Sequence, residues 1–187
     1  MDKRIKILNA AEILIKERGF YGLSIKVIAQ QAGVAAGTIY CYFENKDALL
    51  NQLYRHILSE SAKTIFTGWQ EQDTAKQKYD RLWQNTYQAV LKNPNRLAVI
   101  DMLRCTLDNS QQETAVLDDN TFGKLRGFYL QGIDDGLLRN WPVAALVALS
   151  FDSAINLAKK VLTNKVMPDQ ILLDEVRDAS WLIIQKQ

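Results

Sequence analysis

Residues 33 to 43 read GVAAGTIYCYF, one threonine, one cysteine and two tyrosines among small and apolar side chains, with no charge at all. Helical spacing from Ala36 onward gives this run two faces. At about 100° per residue, Ile39 and Phe43 fall on one side, and Val34 stands just ahead of them to seal a turn. Gly37, Thr38 and Cys41, flanked by Tyr40 and Tyr42, fall on the other. A solvent-facing helix surface is normally filled by Lys, Arg, Asp and Glu, and this one has none of them. Small side chains let a helix backbone approach a groove wall closely. The Thr38 hydroxyl can meet a phosphate or a base edge, and its methyl can meet a thymine. Tyrosine hydroxyls and the N–H groups at a helix start hold phosphate without a cation. The competing reading is a face packed against the protein's own helices.

Other chemistries find little to work with. His56 is the only histidine, and the two cysteines, Cys41 and Cys105, lie far apart, each in a predicted helix. That is neither a disulfide framework nor a metal-ligand spacing, and a Ser–His–Asp or Cys–His pair would have to be built from that one imidazole. No glycine-rich phosphate loop occurs. The sequence therefore points away from an enzyme and asks for no catalytic residue, metal or cofactor. The apolar, uncharged run Trp141 to Phe151 is far short of a membrane span of about 20 residues, and the MDKRIKIL start is not a secretory signal; cytoplasmic residence is expected. The net charge of +2 is unevenly placed. Residues 1–50 carry seven Lys/Arg against five Asp/Glu, so the whole excess lies on the segment that holds the uncharged face.

The elements that must position this face are all helical. Pro94, Pro142 and Pro168 fall where helices begin, and no stretch alternates with a period of two. Apolar spacing predicts helices over 2–18, 25–32, 36–42, 46–66, 75–92, 94–107, a broken pair across 113–136, then 142–162 and 168–185, with a loop within Asp108 to Asn120. Gly19 and Gly33 are natural stops, and Ser24 and Asn45 natural N-caps. Helix, three-residue turn, helix is the layout of a helix-turn-helix, whose second helix enters the DNA major groove.

Here the residues resemble a known family. Ser24-Ile-Lys-Val-Ile-Ala-Gln-Gln-Ala-Gly-Val-Ala-Ala-Gly-Thr-Ile-Tyr-Cys-Tyr-Phe-Glu-Asn-Lys-Asp-Ala-Leu-Leu50 is similar to the DNA-binding signature of the tetracycline-repressor (TetR/AcrR) family of transcriptional regulators: Thr or Ser before the second helix, then Ile-Ala, Ala-Gly-Val, Gly-Thr, Tyr-x-Tyr-Phe, Lys and Leu-Leu. About a dozen positions match in register, and the resemblance covers residues 5–50. It implies an all-α chain with a three-helix helix-turn-helix domain at 1–50, joined by a long helix to an effector-binding and dimerisation domain at 51–187. It also implies a homodimeric repressor that binds a (pseudo)palindromic operator and is released by a small molecule. The DNA-facing set it implies is Ser24, Lys26, Ala36, Gly37, Thr38, Tyr40, Cys41, Tyr42 and Lys46, with Lys46 on a phosphate. Two positions depart from the family pattern. Ala35 stands where a capping serine is common, and Cys41 where histidine or another polar residue is frequent. The alternative is a helical protein-interaction module that presents Tyr40 and Tyr42 to a protein partner.

The long helices carry the remaining expectations. Val143, Val147, Ala154, Ala158 and Val161 on one helix, and Val176, Ala179 and Ile183 on the last, extend the apolar surface beyond a single stripe, which calls for partners on two sides; the resemblance implies that these helices pair with their symmetry mates. It further implies an effector pocket, for which Trp83, Tyr87, Met102, Cys105, Phe122, Phe128, Phe151 and Asn156 are candidate walls, though the same residues suit an ordinary core. Asp101 and Asp152 stand in apolar settings, AVIDML and LSFDSAI, where a buried carboxylate needs a partner. Arg104 is the local partner for Asp101; a cationic effector is the other reading.

Overall fold

A computed structural model of the chain describes residues 2–20, 22–106 and 122–186. Among them the structure is helical, with a single isolated β-bridge between Leu138 and Gln185. Two compact units emerge: Met1–Glu60 with Asn95–Thr114, and Ser61–Pro94 with Ala115–Gln187. The expected loop at Asp108–Asn120, and residues 113–121 of the broken helical pair expected across 113–136, lie outside the described residues.

The first unit begins with α1 (Lys3–Arg18), capped by Asp2, whose Oδ1 accepts from Arg4 N at 3.0 Å. Ile7, Leu8, Ala11, Leu14 and Ile15 are buried along it. Gly19, at φ +64°, turns the chain out of the helix. In α2 (Ile25–Ala32) the Ser24 Oγ accepts from Val27 N at 3.3 Å, the cap its position predicts. Gly33 then adopts the left-handed conformation at φ +64°, ψ +39°, and Val34 N reaches back to Ala29 O at 3.0 Å, closing the helix end. The recognition-length helix α3 (Ala36–Tyr40) follows at once. It ends at Tyr40, two residues short of the expected end at 42: Tyr42 N and Phe43 N both bond Ile39 O, which turns the chain.

Asn45 Oδ1 accepts from Ala48 N at 2.8 Å and starts α4 (Lys46–Ile65), which runs from the first unit into the second. Leu49, Leu50, Leu53, Tyr54 and Ile57 form its buried face. α6 (Pro94–Thr106) also belongs to the first unit from Asn95 onward and buries Val99 and Leu103.

The second unit is built on α5 (Ala75–Lys92), which opens with a capping box: Thr74 Oγ1 accepts from Gln77 N, and Gln77 Oε1 accepts from Thr74 N. With it stand α7 (Gly123–Asp134), α8 (Val143–Leu149), α9 (Phe151–Leu162) and α10 (Gln170–Ile184). α9 lies closely on α5, and Ala154 and Ala158 of α9 have no exposed surface. Trp83 Nε1 donates to Ser153 Oγ at 2.7 Å across the same seam. α10 is fastened to α5 by the buried Tyr79–Ser180 hydroxyl contact at 2.6 Å and by an ion-pair cluster. In that cluster Lys76 Nζ is 2.6 Å from Asp80 and 2.8 Å from Asp178, and Arg177 reaches Asp80 at 3.0 Å and Asp174 at 2.7 Å.

One expected helix is two. The span 142–162 breaks at Ser150 (φ −119°, ψ −77°) into α8 and α9. The Ser150 hydroxyl bonds the Leu146 carbonyl four residues back, and the buried Tyr129 hydroxyl of α7 meets it at 2.8 Å. A serine tied back to its own helix and held by a tyrosine satisfies the polar groups that the break exposes.

Candidate nucleic-acid interface

The helix-turn-helix is positioned by its buried side. Ile28, Ala29, Ile39 and Phe43 are almost wholly enclosed, with Val34 half-buried beside them. Burying an isoleucine or a phenylalanine is worth about 1.5–3 kcal/mol each, enough to fix the rotation of a helix as short as α3. The opposite face is presented as its spacing predicts. Ala36, Gly37, Cys41, Tyr40 (58% exposed) and Tyr42 (39% exposed) stand out, and Thr38 is half-buried among them. That rules out the reading in which this face packs against the protein's own helices.

Ala35 makes no side-chain cap, so the N–H groups at the start of α3 lack the oxygen a serine would supply. Cys41 Sγ points along its own helix to Gly37 O at 3.5 Å. Ser24 and Lys26 are exposed at the start of α2. Lys46 is half-buried in the first turn of α4, flanked by exposed Glu44 and Asp47. The arrangement can offer a groove two tyrosine hydroxyls, a threonine hydroxyl, a close glycine backbone and two ammonium groups.

The effector candidates are divided. Trp83, Tyr87, Phe128 and Phe151 are buried core residues of the second unit, Trp83 and Tyr87 stacking at 5.7 Å. Phe122 and Asp152 are half-buried there, and Asn156 is exposed. Asp101, half-buried Met102 and exposed Cys105 lie instead on α6 in the first unit. The expectation of a carboxylate enclosed in an apolar setting fails at Asp101, which is exposed: the AVIDML stretch turns its Val99 and Leu103 inward and its aspartate out. Burial raises the Tyr54 hydroxyl above its ordinary value; Arg104 opposes that rise and Asp101 adds to it.

The dimer candidates also divide. Ala154 and Ala158 have no exposed surface and leave the candidate set. Val143, Val147, Val161 and Val176 are half-buried, while Ala179 and Ile183 are exposed, Ile183 by 45%. Sequence spacing missed two groupings in the second unit. One is the buried hydroxyl chain of Tyr79, Tyr129, Ser150 and Ser180; the other gathers Phe66, Trp69, Glu71, Lys78 and Lys124. Both join residues far apart in the chain, the second across the turn between α4 and α5, so no local pattern marks them.

Two short helices joined by a tight turn, the second presenting an exposed, uncharged surface, have the form of a DNA-binding helix-turn-helix. The comparisons agree at each end. Residues 7–53 match the model described as bacterial regulatory proteins, tetR family, and residues 74–185 match a tetracyclin repressor-like C-terminal domain. An uncharacterized HTH-type transcriptional regulator of Haemophilus influenzae is 31% identical over 97% of this chain and 95% of its own length. A fatty acid metabolism regulator protein of Bacillus subtilis is 28% identical over 90% of this chain and 86% of its own. A TetR family protein of Vibrio parahaemolyticus shares the fold along the whole of both chains, with 32% identity and a TM-score of 0.85. The chain belongs to the TetR family of bacterial transcriptional regulators, which are DNA-binding proteins and not enzymes. Among the described residues no helix is long and apolar enough to cross a membrane.

Proposed function

We propose that the protein is a cytoplasmic homodimeric repressor that binds a (pseudo)palindromic operator through α3 and is released from it by a small-molecule effector bound in the second unit. The observation that carries the DNA reading is the exposed Gly37, Tyr40, Cys41 and Tyr42 around half-buried Thr38, with Lys46 following in the first turn of α4. With so few cations on the recognition helix, Thr38 and Cys41 read bases, and Lys26, Lys46 and the tyrosine hydroxyls hold the backbone. Ser24 and Ala36 stand at the two helix starts, where backbone N–H groups face a phosphate.

A dimer is supported by the second unit's outward apolar side. Leu172, Val176, Ala179 and Ile183 recur along α10 at spacings of four and three, and Leu172 (36%) and Ile183 (45%) keep much of their surface exposed. Two recognition helices one DNA turn apart double a small contact. The name of the Bacillus subtilis relative makes genes of fatty acid metabolism the first to examine as targets.

A mobility-shift assay on the DNA upstream of the protein's own gene, run through a salt series, tests the reading. A discrete complex whose affinity falls steeply with salt is expected. Absence of any complex at low salt would favour a protein partner for the Tyr40/Tyr42 face.

A further inference from the structure

The turn between α4 and α5 carries a carboxylate held as a receptor would hold a ligand. Glu71 Oε1 lies 3.0 Å from Trp69 Nε1, which donates to it, and 3.1 Å from Lys124 Nζ. Its Oε2 is 3.7 Å from Lys78 Nζ, which also donates to the Glu71 backbone carbonyl at 2.8 Å. The two ammonium groups stand 4.8 Å and 5.2 Å from the centre of the Trp69 ring, and Lys124 is 5.9 Å from that of Phe66. Behind them an aromatic track leads inward. Trp69 meets Phe66 at 5.6 Å and Phe128 at 6.1 Å, both edge to face, and Phe128 meets the wholly enclosed Tyr129 at 5.2 Å.

The donors and the carboxylate differ in how firmly they are placed. The Lys78 side chain is only 16% exposed and stays with α5, whereas that of Glu71 is 76% exposed on a turn. Two cations face one carboxylate, so a positive charge is left over for a second anion. The hydrogen bond from Lys124, followed by that from Trp69, holds the Glu71 carboxyl below its ordinary range, as expected of a carboxylate bound by donors.

We propose that Lys78, Lys124 and the Trp69 N–H form a binding site for the anionic head of an amphipathic small molecule, that Glu71 occupies this site in the absence of ligand, and that the apolar body of the ligand lies along the half-buried Trp69 and Phe66. This rests on the effector-responsive reading above and names the chemical class of effector. Glu71 is then an internal competitor: the ligand's carboxylate or phosphate takes its two lysines, and the freed turn moves away from α5 and α7.

The test is calorimetric titration of the full-length protein, without DNA, with decanoate, decyl phosphate, decanol and decylammonium. Decanoate and decyl phosphate are expected to bind, the tighter of the two showing whether the head is a carboxylate or a phosphate, with decanol and decylammonium weaker by about tenfold or more. Lys124→Gln should weaken decanoate about tenfold and Lys124→Arg should restore it, while Glu71→Gln should tighten it, which a merely structural Glu71 would not do. Binding of decylammonium or decanol as tight as that of decanoate, or unchanged decanoate affinity in both Lys124→Gln and Glu71→Gln, would overturn the proposal. Because the readout needs no DNA, failure of decanoate to bind a protein that another molecule still releases from its operator removes this site and leaves the effector reading standing.

Discussion

The Arg96 guanidinium closes on the Glu12 carboxylate, Nε to Oε1 at 3.1 Å and Nη2 to Oε2 at 3.5 Å, and so fastens α6 to α1 within the unit that carries the recognition helix. Both side chains are largely shielded, 28% and 21% exposed. A double-mutant cycle of Arg96→Ala and Glu12→Ala, followed by denaturant unfolding, should give a coupling of about 1 kcal/mol, the upper end for surface pairs. Purely additive losses would mean that α6 is held by Val99 and Leu103 alone.

α3 lacks its side-chain cap because Ala35 has the extended N-cap backbone, φ −69°, ψ 146°, but no oxygen. Ala35→Ser should raise unfolding stability by about 1 kcal/mol, read from the denaturation midpoint at unchanged m-value. No gain would show that the α3 start is already satisfied by another group.

The first unit was legible because its signals are local. Ser24, Gly33 and Asn45 mark helix ends by their own backbone chemistry, and the alternation of Ile39 and Phe43 with Tyr40 and Tyr42 assigns faces without knowledge of any partner helix. The second unit was legible as helices and little more. Ser150 reads as a helix interior until Tyr129, from another helix, is seen to meet it, and Ala154 and Ala158 read as a free surface until folding buries them. Asp101 looked enclosed because its sequence neighbours are apolar, yet a helix gives adjacent residues different faces. Trp69, Glu71 and Lys124 carry no common sequence signal because the chain brings them together only on folding.

The buried hydroxyls set an alkaline limit. Burial pushes Tyr79 and Tyr129 well above the ordinary tyrosine value of about 10, with the Ser180 and Ser150 hydrogen bonds offsetting part of the rise. The folded protein therefore keeps these protons where the unfolded chain sheds them, so their contribution is whole below about pH 10 and is lost as pH rises above it. The melting temperature should fall above pH 10. In Tyr79→Phe, about 1 kcal/mol less stable at neutral pH, the fall should be shallower. An identical alkaline slope in the variant would remove Tyr79 as a cause.

For the proposed dimer, Ile183→Glu places a charge on an exposed apolar stripe without touching the buried Leu173, Trp181 and Ile184 of the same helix. Sedimentation at micromolar concentration should show twice the chain mass for the wild type and a shift toward the single chain for the variant. A wild type that sediments as a single chain would end the dimer reading.

The most direct test of the central claim, that the α3 face and Lys46 hold DNA, is fluorescence anisotropy of a bound operator duplex across a salt series for the wild type and Lys46→Ala. Weaker binding is predicted, with the slope of log affinity against log salt reduced by about 1 for each protomer. An unchanged affinity and an unchanged slope would contradict it.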